Sequence, residues 1–339
     1  MPKRHNITFG VGGSNLLTRT VMVGGYENTV HYYERSESEM YGDEYVCFFP
    51  GDIQLRQEQF FKYFENDYPF QEGNDQDGDP SILEVYYERV VDVLLEKFSQ
   101  CKAVVIVQPS KLDLGNFMYE YENFYVKDNA NFQLIGILRE LFPQEMFGCG
   151  STKHHINLVA FSKGCVALNS MICEVANYFQ FRKSQNHDVK EYQTNYHYVH
   201  WDEPNPKSIV PKCYKIALSP NTNSNLTKKQ MKDAIQFFQN NVNSIHYLDC
   251  HRFITTESIL TWFSDMLQQS NLYLKVHQTP LIHEKNPYRK HIIVESDGFM
   301  KIMRKHSKSS VHYQYYYKEL ENKVDPFVLH FRVVKDFEA

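Results

Sequence analysis

The sequence has no apolar run approaching the ~20 residues that a membrane-spanning helix needs. It has no H-E-x-x-H and no C-x-x-C pair, so a structural zinc site is not expected. No G-K-[ST] follows its one glycine-rich stretch, Gly10-Val11-Gly12-Gly13-Ser14, which therefore reads as a turn between early strands and not as a phosphate loop. It also lacks a basic stripe. Net charge is −5 with both signs mixed throughout, which excludes the backbone-tracking mode of nucleic-acid binding. The start, MPKRHNITFG, has no apolar core and is not a secretory signal.

Cysteine is present but unpatterned. The seven (Cys47, Cys101, Cys149, Cys165, Cys173, Cys213, Cys250) are odd in number and follow no disulfide spacing. Several sit inside apolar runs, where cysteine acts as a small hydrophobe, so a reducing, intracellular setting is expected. The sequence is rich in aromatic residues. Tyr and Phe, 24 each in 339 residues, give material for a sizeable core, and the length suits one large domain or two ordinary ones.

The most informative stretch is His155–Asn169, HINLVAFSKGCVALN. Ile156 to Phe161 is a short β-branched and apolar run that predicts a buried strand. A turn follows at Ser162-Lys163-Gly164, and then Val166, Leu168, Met171, Ile172 and Val175 recur at helical spacing. Strand, exposed serine, glycine, helix is the layout of a nucleophile elbow, in which the residues two before and two after the serine must be small. Here they are Ala160 and Gly164. Cys165, inside the predicted helix, reads as packing.

Along the rest of the chain, Glu44–Phe49 predicts a strand ending at Pro50-Gly51-Asp52. Gln57–Asn66 predicts a helix and Gln71–Asp79 a loop. Asp79-Pro80 is a helix start, an N-cap followed by proline in the first turn, and opens a helix with Leu83, Tyr87, Val90, Val91, Leu94 and Phe98 on its stripe. Ala103–Val107 (AVVIV) has the continuous apolar character of a strand buried on both faces. Asn131–Phe142 predicts a helix. Phe181–Pro211, polar and rich in His, Tyr and Asn, predicts an insertion or lid. Tyr214–Leu218, Ser244–Asp249 and Leu272–Val276 predict strands, Thr227–Val242 and Thr256–Gln269 helices, and Val328–Val334 a strand in the tail. Alternating strands and helices imply a mostly parallel sheet with helices on both faces. In such sheets the sites lie beyond the carboxyl ends of the strands.

The candidates fall at those ends. Ser162 follows the central strand, Asp249 and His277 later ones, and Asp52 an early one. A serine needs a base to take its proton and a third group to orient the base, and the order Ser162, Asp249, His277 supplies them. His251, His283 and His291 are rival bases, and Asp202 is a weaker acid. An oxyanion hole needs backbone N–H donors: Lys163, which follows the serine, and Gly51 or Asp52 in the loop after the early strand, since Pro50 has no N–H.

F-P-G-D-I-Q at 49–54, A-F-S-K-G-C-V-A-L-N at 160–169, Y-L-D at 247–249 and V-H-Q-T-P at 276–280 together resemble an uncharacterised eukaryotic family of α/β-hydrolase-like serine hydrolases whose vertebrate members are mitochondrial. The resemblance covers roughly residues 45–303. It implies an α/β-hydrolase-like fold with Ser162 as nucleophile, but no substrate. Where that family continues with an Asp-Pro pair and later a Glu-His pair, this sequence reads Asn286-Pro287 and Glu295-Ser296.

The combined expectation is a single α/β-hydrolase-like domain over 1–339, with a lid at 181–211 and a family-divergent extension from about 304. Its function would be intracellular hydrolysis of an acyl bond in a small substrate (ester, thioester or lipid-like) with no cofactor. The alternative is a binding protein on a hydrolase scaffold that has lost catalysis. The cytoplasm is the expected compartment, with the mitochondrion as the alternative that the resemblance implies.

Overall fold

A computed structural model describes residues 16–36, 42–51, 81–113, 118–125, 130–145, 147, 154–184, 228–283, 290–306, 310–321, 323–324 and 326–339. The expected turn at 10–14, Asp52, the helix at 57–66, the loop at 71–79, residues 185–211 of the expected lid, Asp202 and the strand at 214–218 lie outside these residues.

A hairpin opens the described chain: β1 (Leu17–Val23) and β2 (Tyr26–Glu34) are antiparallel. Gly24 and Gly25 join them, both at positive φ, as a two-residue turn that matches strand twist requires. β3 (Glu44–Phe49), β4 (Cys101–Val107), β7 (His155–Phe161), β8 (Val242–Leu248), β9 (Tyr273–Gln278) and β10 (Val311–Tyr315) are parallel to their partners within this set. β2 runs antiparallel to β4. The sheet order is β1-β2-β4-β3-β7-β8-β9-β10, and β5 (Lys111–Asp113) with β6 (Met118–Glu120) forms a separate two-stranded ribbon.

The helices are α1 (Ser81–Lys97), α2 (Glu122–Tyr125), α3 (Ala130–Leu141), α4 (Cys165–Ser184), α5 (Lys228–Asn240), α6 (Glu257–Gln269), α7 (Pro280–His283), α8 (Lys290–His306) and α9 (Pro326–Asp336). They cover both faces, as the continuous apolar strands demand. The two-residue period of a strand divides the core. Tyr45, Cys47, Phe49, Leu158, Ala160, Tyr247 and Val276 pack with Leu134, Leu138, Met171, Phe237 and Phe263 on one face. Val46, Phe48, Val104, Ile106, Val159, Phe161 and Leu248 pack with Tyr87, Val90 and Leu94 of α1 and Phe331, Val333 and Val334 of α9 on the other. This is an α/β-hydrolase-like fold, a mostly parallel sheet with helices on both faces and a tight serine turn after its central strand.

Three expectations change. Val328–Val334 is helical, as the middle of α9, because its apolar residues recur at three and four positions against α1. Phe181–Ser184 extends α4 instead of beginning an insertion. Residues 290–306, for which no element was expected, form α8.

Candidate active site

The serine turn is built by close approach of two backbones. Ser162 opens a 3₁₀ turn, Ser162–Gly164, that leads straight into α4. Its φ is +53°, a left-handed conformation costing about 1–3 kcal/mol for a non-glycine residue and concentrated at functional sites. A Cβ on Gly164 would stand 2.1 Å from the carbonyl oxygen of Phe49 and 2.6 Å from that of Pro50. No side chain fits there, so glycine at 164 lets the turn lie against the end of β3. Ala160 is fully buried in β7, between Phe49 of β3 and Tyr247 of β8. The Cys165 thiol donates to the Ala160 carbonyl (3.3 Å) and is buried, a packing role.

Gly51 lies beside the serine. A Cβ built on it would be 3.1 Å from Ser162 Cβ and 3.3 Å from the Phe161 ring. The loop that carries it is pinned by Tyr121, whose hydroxyl donates to the Pro50 carbonyl at 2.7 Å. Lys163, the residue after the serine, is half-buried in the 3₁₀ turn.

Asp249 stands one residue past β8, next along the sheet from β7. It is 2% exposed and, like Ser162, has a positive φ, +48°. Aspartate tolerates this conformation better than most residues. Its backbone N–H donates to the His277 carbonyl at 2.7 Å, tying it to β9. Its carboxylate accepts from the Thr279 N–H (2.9 Å) and the Thr279 hydroxyl (2.6 Å), and meets Nδ1 of His330 at 2.5 Å. His330 comes from α9. Its ring lies 4.5 Å, centroid to centroid, from Phe161, the residue preceding the serine.

The structure thus brings the Asp249 carboxylate together with the His330 ring and not with the ring of His277. The His277 imidazole points to the α1/α9 face of the sheet. There Nδ1 is 3.1 Å from the Tyr316 hydroxyl and Nε2 is 3.4 Å from Nδ1 of His246. Burial pushes its pKa down to about 3, with Lys275 and Lys97 adding to the shift. Strand parity gave the warning: Leu274 and Val276 enter the opposite core, so His277 must point away from it. His330 carried a signal of its own, since Asp325-Pro326 has the same form as the Asp79-Pro80 helix start.

Of the other candidates, His251 is half-exposed, and its backbone N–H lies 3.4 Å from the Ser162 carbonyl. His283 and His291 fall in α7 and α8, with side chains outside the described set. Asn286-Pro287 lies outside the described residues. Glu295 pairs with Arg252 at 2.6 Å and accepts from the Phe253 N–H, while Ser296 accepts from the Gln278 amide at 2.6 Å. These two positions hold the loop after β8 and the end of β9. Among the described residues no group of three or more His, Cys, Asp or Glu could hold a metal ion, and no helix is long and apolar enough to cross a membrane.

No family model matches the sequence, and no curated protein matches it. Solved structures align with this chain at low similarity. A lipase/esterase from Lactobacillus plantarum has 9% identity over 96% of this chain and 100% of its own, with a TM-score of 0.39. A dienelactone hydrolase from Anabaena variabilis has 9% identity over 96% of this chain and 97% of its own, with a TM-score of 0.38. An acylaminoacyl peptidase from Pyrococcus horikoshii has 8% identity over 94% of this chain and 40% of its own, with a TM-score of 0.40. At these values the neighbours carry no information about substrate, and the chemistry of the site has to be argued from the residues of this chain.

Proposed function

We propose that this chain is a serine hydrolase of acyl bonds, esters or thioesters, with Ser162 as nucleophile, His330 as base and Asp249 as the group that orients it. One observation carries this reading: the Asp249 carboxylate meets Nδ1 of His330 at 2.5 Å while the His330 ring lies against Phe161, one residue from a serine in a left-handed turn.

In this reading Asp249 fixes the tautomer. Its carboxylate holds the proton on Nδ1 of His330, so Nε2 carries the lone pair that accepts a proton. Ser162 Oγ attacks the acyl carbon as its proton passes to Nε2. The carbonyl π pair moves to oxygen, and the oxyanion is held by backbone N–H groups of Lys163 and Gly51. Collapse of the tetrahedral species expels the alkoxide or thiolate, which takes the proton back from Nε2. Water repeats the sequence on the acyl-serine and releases the carboxylic acid. Thr279 holds Asp249 in position through two hydrogen bonds.

The test is labelling with a fluorophosphonate probe, together with turnover of simple aryl esters. Wild type should label and turn over, and Ser162→Ala should do neither. His330→Ala should lose at least ~10²-fold in rate, the usual scale of general-base catalysis. His277→Gln should label normally at neutral pH. Full labelling of Ser162→Ala, or none of a folded wild type, would overturn the proposal.

A further inference from the structure

On the α1/α9 face a chain of hydrogen bonds crosses four strands. Asn157 Nδ2 is 2.5 Å from Glu44 Oε1, and the Ser244 hydroxyl donates to Asn157 Oδ1 at 2.6 Å. His246 Nε2 is 3.0 Å from Ser244 Oγ. His246 Nδ1 is 3.4 Å from His277 Nε2, and His277 Nδ1 is 3.1 Å from the Tyr316 hydroxyl. The donors are fixed by elimination. A carboxylate only accepts, so Asn157 presents its NH₂ to Glu44. Ser244 spends its one hydrogen on Asn157, so His246 donates from Nε2. With both imidazoles neutral, His246 Nδ1 accepts from His277 Nε2 and Tyr316 donates to His277 Nδ1. A proton on each ring would set His246 Nδ1–H against His277 Nε2–H, so the pair as packed cannot hold two protons.

This neutral pair seats the end of α9. Phe337 packs against His246 and His277 at 5.5 Å each, the Glu338 N–H donates to the Tyr316 oxygen, and Lys97 of α1 donates to the Phe337 carbonyl. Seven residues earlier on α9 is His330. The charged and titratable groups around the pair are Lys97 from α1, Lys275 from β9, His312 from β10, Glu44 from β3, and Asp336 and Glu338 from the chain end. Lys275 and Lys97 oppose a further positive charge, and burial holds both imidazoles neutral.

We infer that His246 and His277 form an acid-sensitive latch: taking up protons there releases α9 and withdraws His330 from Asp249. The regulated site is the one proposed above, and the latch rests on that reading only for its effect on activity. Release exposes imidazoles with an ordinary pKa near 6.5, so below that pH two protons bind on opening and the open population rises by up to about a hundredfold per pH unit.

The experiment is hydrogen–deuterium exchange of residues 326–338 from pH 7.5 to 5, corrected for intrinsic exchange, beside ester turnover. Wild type should show opening of this segment with a slope approaching two protons. His246→Gln and His277→Gln should each lower the slope to one while keeping turnover at pH 7.5. Phe337→Leu, which leaves both imidazoles in place, should raise opening at every pH with the slope unchanged, and serves if a glutamine variant does not fold. A pH-independent segment, or slopes that do not change between wild type and a glutamine variant, overturns the latch. Correct slopes in a protein that never labels at Ser162 support the latch and refute the hydrolase.

Discussion

Thr279 is the residue on which the geometry of Asp249 depends most directly. It is fully buried and supplies both an N–H and a hydroxyl to one carboxylate. A hydrogen bond to a charged group contributes about 1.5–3 kcal/mol. Thr279→Val keeps the shape and the N–H but removes the hydroxyl. Stability should fall within that range by denaturant titration, and kcat roughly tenfold, equivalent to about 1.4 kcal/mol at the transition state. Thr279→Ser should restore both. Stability restored by serine without kcat would mean that Thr279 has only a structural part. Ser162 and Asp249 are themselves held at positive φ, and strain of that kind persists only where the surroundings over-determine it. At Ser162 those surroundings are the Phe49 and Pro50 carbonyls against Gly164.

Among the elements, the loop after β3 is the one on which the proposed oxyanion donors depend. Tyr121 holds it from below through the Pro50 carbonyl and packs its ring on Phe49 and Phe124. Tyr121→Phe keeps the packing and frees the carbonyl. The expected outcome is a loss of about 1 kcal/mol in stability and a fall in kcat with little change in KM, because the donors act mainly on the transition state. A rise in KM at constant kcat would place the loop in substrate binding instead. The elements also mark where sequence reading stops. The strand of β7 and the turn after it are local patterns, and Asp249 is legible as the polar residue that ends the apolar β8. His330 is not legible in that way. A histidine in an amphipathic stretch has no local mark of its role, and with 328–334 taken as a strand it pointed nowhere near Asp249.

For the whole molecule, three buried histidines set the acid limit. Burial lowers His31 to about 4 and His277 to about 3, and holds His246 well below its ordinary value. In the unfolded chain each titrates near 6.5. Below that pH the unfolded state binds more protons than the folded state, so stability must fall with falling pH. The loss begins near pH 6.5 and continues towards the lowered values, at up to about 1.4 kcal/mol per group per pH unit. Denaturant midpoints measured between pH 7.5 and 4.5 should decrease steadily, and His31→Gln should make the slope shallower by one proton. A midpoint that is flat across this window would mean that these imidazoles are charged in the folded state.

By itself the sequence determined the layering, the serine turn after β7 and the aspartate that ends β8. Those follow from periodicity, from steric demands within a few residues and from the rule that polar residues end buried strands. Only the tertiary structure decided which histidine meets Asp249. That choice depends on which face of β9 a side chain takes and on where a helix more than eighty residues beyond Ser244 comes to rest. Pairing in space is set by packing of α9 against α1 and the sheet, which strand parity at His277 and the helix start before His330 do not by themselves specify.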